Sequence, residues 1–161
     1  MSESREDYSQ GMKTFTRSGL FRTTLLLVGC VAIGGCGFTR SRKDAEKVVA
    51  RHFQTIATNG FETAMADYGT QFFQKTSKDA WSKTLARLGG KLGAYQSYSV
   101  AGWNVFKNAS TSGAGTTVRL QCQVSYSKYP AVESFTLFKG ASDSEYKILG
   151  HQINSEGLLK D

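Results

Sequence analysis

Cysteine, proline and histidine are scarce in this chain: three, one and two among 161 residues. Cys30, Cys36 and Cys122 build neither a disulfide framework nor a zinc-binding pattern. No phosphate-binding glycine loop, nucleophile with its base, or cluster of metal ligands is present. The longest apolar stretch, Thr23 to Gly35, is too short for a hydrocarbon core that needs about 20 residues, and Gly34-Gly35 weakens its end as a helix. A permanent transmembrane helix is therefore disfavoured. Acidic residues are also few: 13 against 20 Lys and Arg give a net charge of +7. The basic groups are scattered and fit no recognition motif, so nucleic acid is not an expected partner. What remains suits one globular domain: 40% of residues are hydrophobic and 12% aromatic, enough for a single core.

The N-terminus has the order of an export signal. Lys13, Arg17 and Arg22 precede the apolar run, which closes on Ile33-Gly34-Gly35-Cys36. This segment resembles the bacterial lipoprotein signal, in which an aliphatic residue and two small residues lead to a cysteine. The resemblance implies diacylglycerol transfer to Cys36 and cleavage before it. Residues 1–35 would then be a signal peptide, 36–40 a lipidated tether and 41–161 the folded domain. Leu27-Val28-Gly29-Cys30 is an alternative lipidation site, but only seven residues separate Arg22 from Cys30, a short apolar region. Glu3, Glu6 and Asp7 are unusual in such a leader, and Met12 is an alternative start. Gly37 after the cysteine implies delivery to the outer membrane, facing the periplasm. Arg40, Arg42, Lys43, Lys47 and Arg51 follow the proposed anchor, where anionic headgroups would lie within about a Debye length. The expected partner is thus a lipid bilayer, reached through the acylated cysteine, and Cys122 is expected to be buried and inert.

Beyond the tether, Ser41 can cap a helix to about Thr58, with Ala45, Val49, Phe53 and Ile56 on one face and Asn59-Gly60 as the stop. His52 lies beside that stripe. With no second histidine or carboxylate near it in sequence, it reads as structural. A shorter helix covers Phe61 to Tyr68. A third follows, with capping-box spacing at Thr76 and Asp79, an apolar stripe of Ala80, Trp81, Thr84, Leu85 and Leu88, and an end at Gly89-Gly90.

From Leu92 the apolar period changes to two, which predicts an antiparallel sheet of four strands. The first spans Ala94 to Phe106, with Tyr95, Trp103 and Val105 on one face and Tyr98 and Val100 on the other. The second, Thr116 to Tyr126, alternates most cleanly and places Cys122 on its apolar face. Pro130 sits in the turn before the third strand, Val132 to Lys139. The last runs from Glu145 to Ile153, with His151 on the face of Leu149 and Ile153.

Helices first and a four-stranded meander after them define an α+β domain, with N-terminal helices packed on a curved antiparallel sheet. The order resembles the nuclear transport factor 2-like cone. It is also similar to the small exported bacterial family called domain of unknown function 4019. That likeness rests on Phe72-Phe73, Ser77 with Trp81, Arg87, Leu92-Gly93, the Glu133 strand and the closing Tyr146-Lys147-Ile148-Leu149-Gly150, over about residues 44–153. Tyr146 stands where that family commonly has Trp, and Gly89-Gly90 interrupts the Arg87-to-Leu92 spacing.

The family resemblance implies fold and location and carries no reaction. Cone folds enclose a pocket between sheet and helices, which Tyr68, Trp81, Tyr95, Trp103 and Tyr126 are expected to line. Some cone proteins are isomerases or dehydratases with a buried general base, and a Glu133–His151 pair is conceivable here. The same two residues serve equally well as edge charges. The expectation is therefore a non-enzymatic, cofactor-free binding or assembly module, contacting a small apolar ligand or another envelope protein. The alternatives are a periplasmic subunit of a secretion or conjugation machine, and a small-molecule enzyme of the cone type.

Overall fold

The computed structural model describes residues 35–60, 63–109 and 114–160. Cys30 and the expected signal segment up to residue 34 lie outside these residues. The first helix, α1, runs Gly35–Asn59 and so starts six residues before Ser41, taking residues 36–40, expected as a tether, into the helix. Ser41 does not cap it. Its hydroxyl donates back to the carbonyl of Gly37 at 2.9 Å, a bond that a serine inside a helix makes with the preceding turn. Gly60, with φ of 81°, ends α1 as expected. The buried stripe contains Ala45, Val48, Val49, His52, Phe53 and Ile56, so His52 lies within the stripe and not beside it.

After α1 the chain makes a 3-10 turn, Thr63–Asp67, and a short helix, α2, Thr70–Phe73, in place of the single helix expected over 61–68. This segment is tied to the sheet: Tyr68 bridges Ile148, and the Gly69 amide donates to the Ile148 carbonyl at 2.9 Å. The third helix, α3, spans Lys78–Leu92. Its cap is Ser77, one residue later than expected, whose Oγ accepts from the Ala80 amide at 3.2 Å. It continues through Gly89-Gly90 because Leu85, Leu88 and Leu92 form its buried face. Ala80 and Thr84, assigned to that face from sequence, are exposed. Gly93, at φ of 88°, ends α3 where an added Cβ would collide with Ser127 and Lys128.

The sheet comprises β1 (Tyr95–Asn108), β2 (Gly115–Tyr126), β3 (Ala131–Gly140) and β4 (Lys147–Asn154), antiparallel in the order β1-β2-β3-β4. On β2, Val118, Leu120, Cys122, Val124 and Tyr126 are buried and the residues between them from Arg119 to Ser125 are exposed, as the alternation predicts. Cys122 is a free, fully buried thiol, and burial pushes its pKa up to about 12.

Bulges alter the outer strands. The register of β1 slips between Tyr95 and Ser97 and again between Val100 and Gly102. Each extra residue reverses the alternation. Tyr95, Tyr98, Val100, Trp103 and Val105 therefore all pair with inward residues of β2, and the two-faced division expected for β1 does not hold. A third slip brings Leu137 opposite Ile148 but Thr136 opposite Gly150, leaving Leu149 unpaired. Ile148, His151 and Ile153 then share the inner face, and Leu149 is not among them. The helices and the sheet close over one hydrophobic core, with Phe53, Leu85, Leu92, Leu120, Phe135, Leu137 and Ile148 fully buried.

Candidate functional site

The bulge in β4 aims His151 at Glu133 on the neighbouring strand. Both side chains are buried on the inner face, and Nε2 of the histidine lies 2.8 Å from Oε2 of the carboxylate. Glu133 Oε1 accepts from the Tyr126 hydroxyl at 2.5 Å, and His151 Nδ1 lies 2.7 Å from the Tyr68 hydroxyl. A carboxylate only accepts, so Nε2 donates to Glu133. In the neutral imidazole Nδ1 then accepts from Tyr68, and in the imidazolium it donates to the tyrosine oxygen; in both forms Tyr126 closes the other carboxylate oxygen. Burial, reinforced by the Glu133 charge, raises the pKa of both tyrosines, which keeps them protonated. Glu133 belongs to an inner strand and is fully buried, so the edge-charge reading does not apply to this pair.

A second histidine stands beside the first. His52 is fully buried, with its ring edge-on to Tyr68, Phe135, Phe53 and His151 at centroid distances of 5.5–5.8 Å. Neither ring nitrogen has a hydrogen-bond partner. The nearest carboxylate oxygen, on Asp67, is 3.8 Å from Nδ1 and is not bonded to it. Asp67 instead takes two nitrogens of Arg51 at 2.6 and 2.8 Å. Burial, and next any positive charge on His151, lowers the pKa of His52 to about 3, against a smaller raising effect of the Ala64 backbone. Its second histidine and its carboxylate were missed in the sequence because both lie far along the chain.

Of the residues expected to line a pocket, Tyr68 and Tyr126 join the polar chain. Trp81 packs on Tyr68 and His151 at 5.8 Å from each. Tyr95 stacks on Phe53 at 5.2 Å. Trp103 lies away from this group, exposed, with the Arg42 guanidinium 5.0 Å above its ring. Apart from Trp103, these aromatics pack among the rings of the interior. Surface clefts of about 580 and 410 Å³ reach Tyr68 from two sides, but neither is lined by His151, Glu133 or Tyr126. Among the described residues no three His, Cys, Asp or Glu come together in a metal-holding group.

The outer sheet face is different. Asn104, Arg119, Gln121, Ser134, Thr136 and Gln152 border a shallow depression of about 540 Å³, deepened where Gly102 and Gly150 carry no side chain. Cys36, the proposed lipid site, is the second residue of α1, and no described helix is long and apolar enough to cross a membrane. No protein-family model, no curated protein and no solved structure matches the chain.

Proposed function

We propose that the chain is a lipid-anchored protein of the bacterial cell envelope, of the domain of unknown function 4019 type with a nuclear transport factor 2-like cone, that works by surface binding and not by catalysis. Its signal segment would end at Gly35 and its anchor would be the acylated Cys36, with Cys30 as the alternative. The body would face the periplasm from the outer membrane and contact another envelope protein through the outer sheet face.

The carrying observation is the closure of the His151–Glu133 pair. Both carboxylate oxygens of Glu133 and both ring nitrogens of His151 are already bonded inside the protein, and the two clefts that reach Tyr68 are lined by neither residue. The polar depression of about 540 Å³ supports contact with a hydrated partner surface over a small apolar ligand. The residues that carry the family resemblance do structural work, consistent with a likeness of fold: Ser77 caps α3, Gly93 turns its end, and Tyr146 is buried.

The chain has two histidines, and both are buried. Diethyl pyrocarbonate near neutral pH should therefore leave the native protein unmodified and react with both once it is unfolded. Rapid reaction of His151 alone would favour the second reading, a cone-type enzyme with His151 as base, whose supporting observation is the 2.8 Å contact with Glu133. The anchor is tested by metabolic labelling with a palmitate analogue, which should disappear in Cys36→Ser and persist in Cys30→Ser. Partner contact is tested with a photocrosslinking residue at position 121, which should give a discrete product absent when it is placed at exposed position 54.

A further inference from the structure

Four large apolar side chains are exposed among the described residues, and three of them gather at one end of the body. Phe38 is 40% exposed, Trp103 48% and Phe106 44%; the fourth, Leu159, follows β4 at the opposite end of the sheet. Phe38 lies in the first turn of α1, and Trp103 and Phe106 lie in the last turns of the edge strand β1, beside it. Each ring carries a cation. Lys107 Nζ is 4.8 Å from the Phe38 centroid, the Arg42 guanidinium 5.0 Å from Trp103, and that of Arg119 5.6 Å from Phe106. Arg40 and Lys43 add exposed positive charge on the same helical turns. The acidic groups facing them are Asp44, paired with Lys47 and 4.0 Å from Arg40, and Glu46, paired with Arg42; Lys43, Lys107 and Arg119 keep the charge of this end positive.

Phe38 and Trp103 lie on the α1 side of β1 and Phe106 on its outer side, so the three rings flank one end of a sheet edge, and exposed rings concentrated in this way mark a contact surface. Amphipathic rings interleaved with Lys and Arg match one environment closely. At the headgroup layer of a bilayer the rings meet the acyl boundary and the cations meet anionic phosphates. The described chain also begins at this end, with Cys36 as the second residue of α1.

We propose that this end of the body, formed by Phe38, Arg42, Trp103, Phe106 and Lys107, is a second membrane contact that seats the domain directly on an anionic bilayer surface. It rests on the anchoring reading for its placement but is a separate contact. Among the described residues α1 already contains Cys36 and the residues after it, so the segment that follows the anchor is helical and leads directly into the body. The outer face of β2 to β4 then rises from the bilayer, open to the periplasm.

The test uses the full chain, as purified from membranes, in vesicles of phosphatidylcholine and phosphatidylglycerol with or without brominated acyl chains. A Trp81→Phe background leaves Trp103 as the only tryptophan. Trp103 emission is expected to fall about twofold in brominated vesicles, as for a ring at the headgroup boundary, and the loss should shrink in Phe38→Ser and Lys107→Glu. Should Trp81→Phe not fold, the same signal is the quenched component that disappears in Trp103→Phe.

Trp103 that is untouched by brominated lipid and fully quenched by aqueous acrylamide overturns the proposal. So does Trp103 shielded from both quenchers, which would make the patch a contact between two copies of the chain. The mass of the N-terminal peptide from the same sample separates this proposal from the anchor. Acylated Cys36 with unquenched Trp103 sinks the contact and keeps the anchor; quenched Trp103 without an acyl group does the reverse.

Discussion

Acidification to pH 5 should cost this domain stability through His52, an imidazole without a hydrogen-bond partner in an aromatic cage. Its ordinary pKa is 6.5 and the fold holds it down to about 3. The unfolded chain therefore takes up a proton first as pH falls. The stability linked to this group is complete above about pH 6.5 and declines by about 1.4 kcal/mol per pH unit until the folded value is reached. At pH 5 the loss is about 2 kcal/mol, a large fraction of the 5–15 kcal/mol by which domains are usually stable. The midpoint of thermal unfolding should drop by roughly 5–10 °C. The lowered carboxylates Asp44 and Glu145 act in the same direction, but their ordinary values are 3.8 and 4.5, so they contribute mainly below this window.

The assay is urea unfolding of a soluble version beginning at Gly37, followed by circular dichroism between pH 7 and pH 5. His52→Phe keeps the edge-on ring contacts and removes the proton site, so over that range it should lose about 2 kcal/mol less stability than the native protein. His52→Leu gives the same comparison should the larger ring strain the cage. At neutral pH the phenylalanine variant should lie within about 1–2 kcal/mol of the native protein, because the lost nitrogens made no hydrogen bond there. Equal acid slopes for native protein and variants would refute the reasoning.

Four further outcomes follow from the polar chain and from one glycine. Glu133→Ala strands the Tyr126 hydroxyl and the His151 N–H in an apolar interior and should cost about 3–5 kcal/mol in denaturant unfolding. Tyr126→Phe removes a bond to a buried carboxylate and should cost about 1.5–3 kcal/mol. Tyr68→Phe removes the bond to His151 and should cost only about 0.5–1.5 kcal/mol where that imidazole is neutral, so the order of the two midpoints tests the charge on His151. Gly93→Ala places a Cβ at φ of 88° against Ser127 and Lys128 and should lower stability by more than about 1 kcal/mol, read by thermal unfolding.

Periodicity carried most of the fold. The alternation from Val118 to Tyr126 fixed the buried face of β2, and the spacing of Ala45, Val49, Phe53 and Ile56 fixed that of α1. Helix ends were less legible. Ser41 and Thr76 look like caps in sequence, yet residues 35–40 continue α1, and Ser77 is the side chain that reaches an amide of the first turn of α3. The bulges were not legible at all, because an extra residue in β1 or β4 is decided by how its neighbour packs and not by its own type. That is why Trp103 and Tyr98, assigned to opposite faces, share one. Glu133 and His151 were visible as a conceivable pair, since a meander sets β3 beside β4. His52 had a visible place near its stripe but no visible companions, because Asp67 and His151 reach it only through the tertiary fold.

The same irregularities decide where chemistry and contact can occur. Strict alternation from Ile148 would turn Gly150 and Gln152 inward and send His151 to solvent; the bulge at Leu149 exchanges them and completes the bonded chain to Glu133. Strict alternation from Val100 would put Gly102, Asn104 and Phe106 inside. The slip before Gly102 puts Trp103 on the side of α1, where Arg42 meets it, and turns Phe106 to the other face beside Arg119. One displaced residue thus exchanges the faces of the two rings, setting Trp103 beside α1 and Phe106 beside Arg119. Aromatic rings pack the space between sheet and helices, and the bulges decide which side chains of β1 and β4 join them and which face outward.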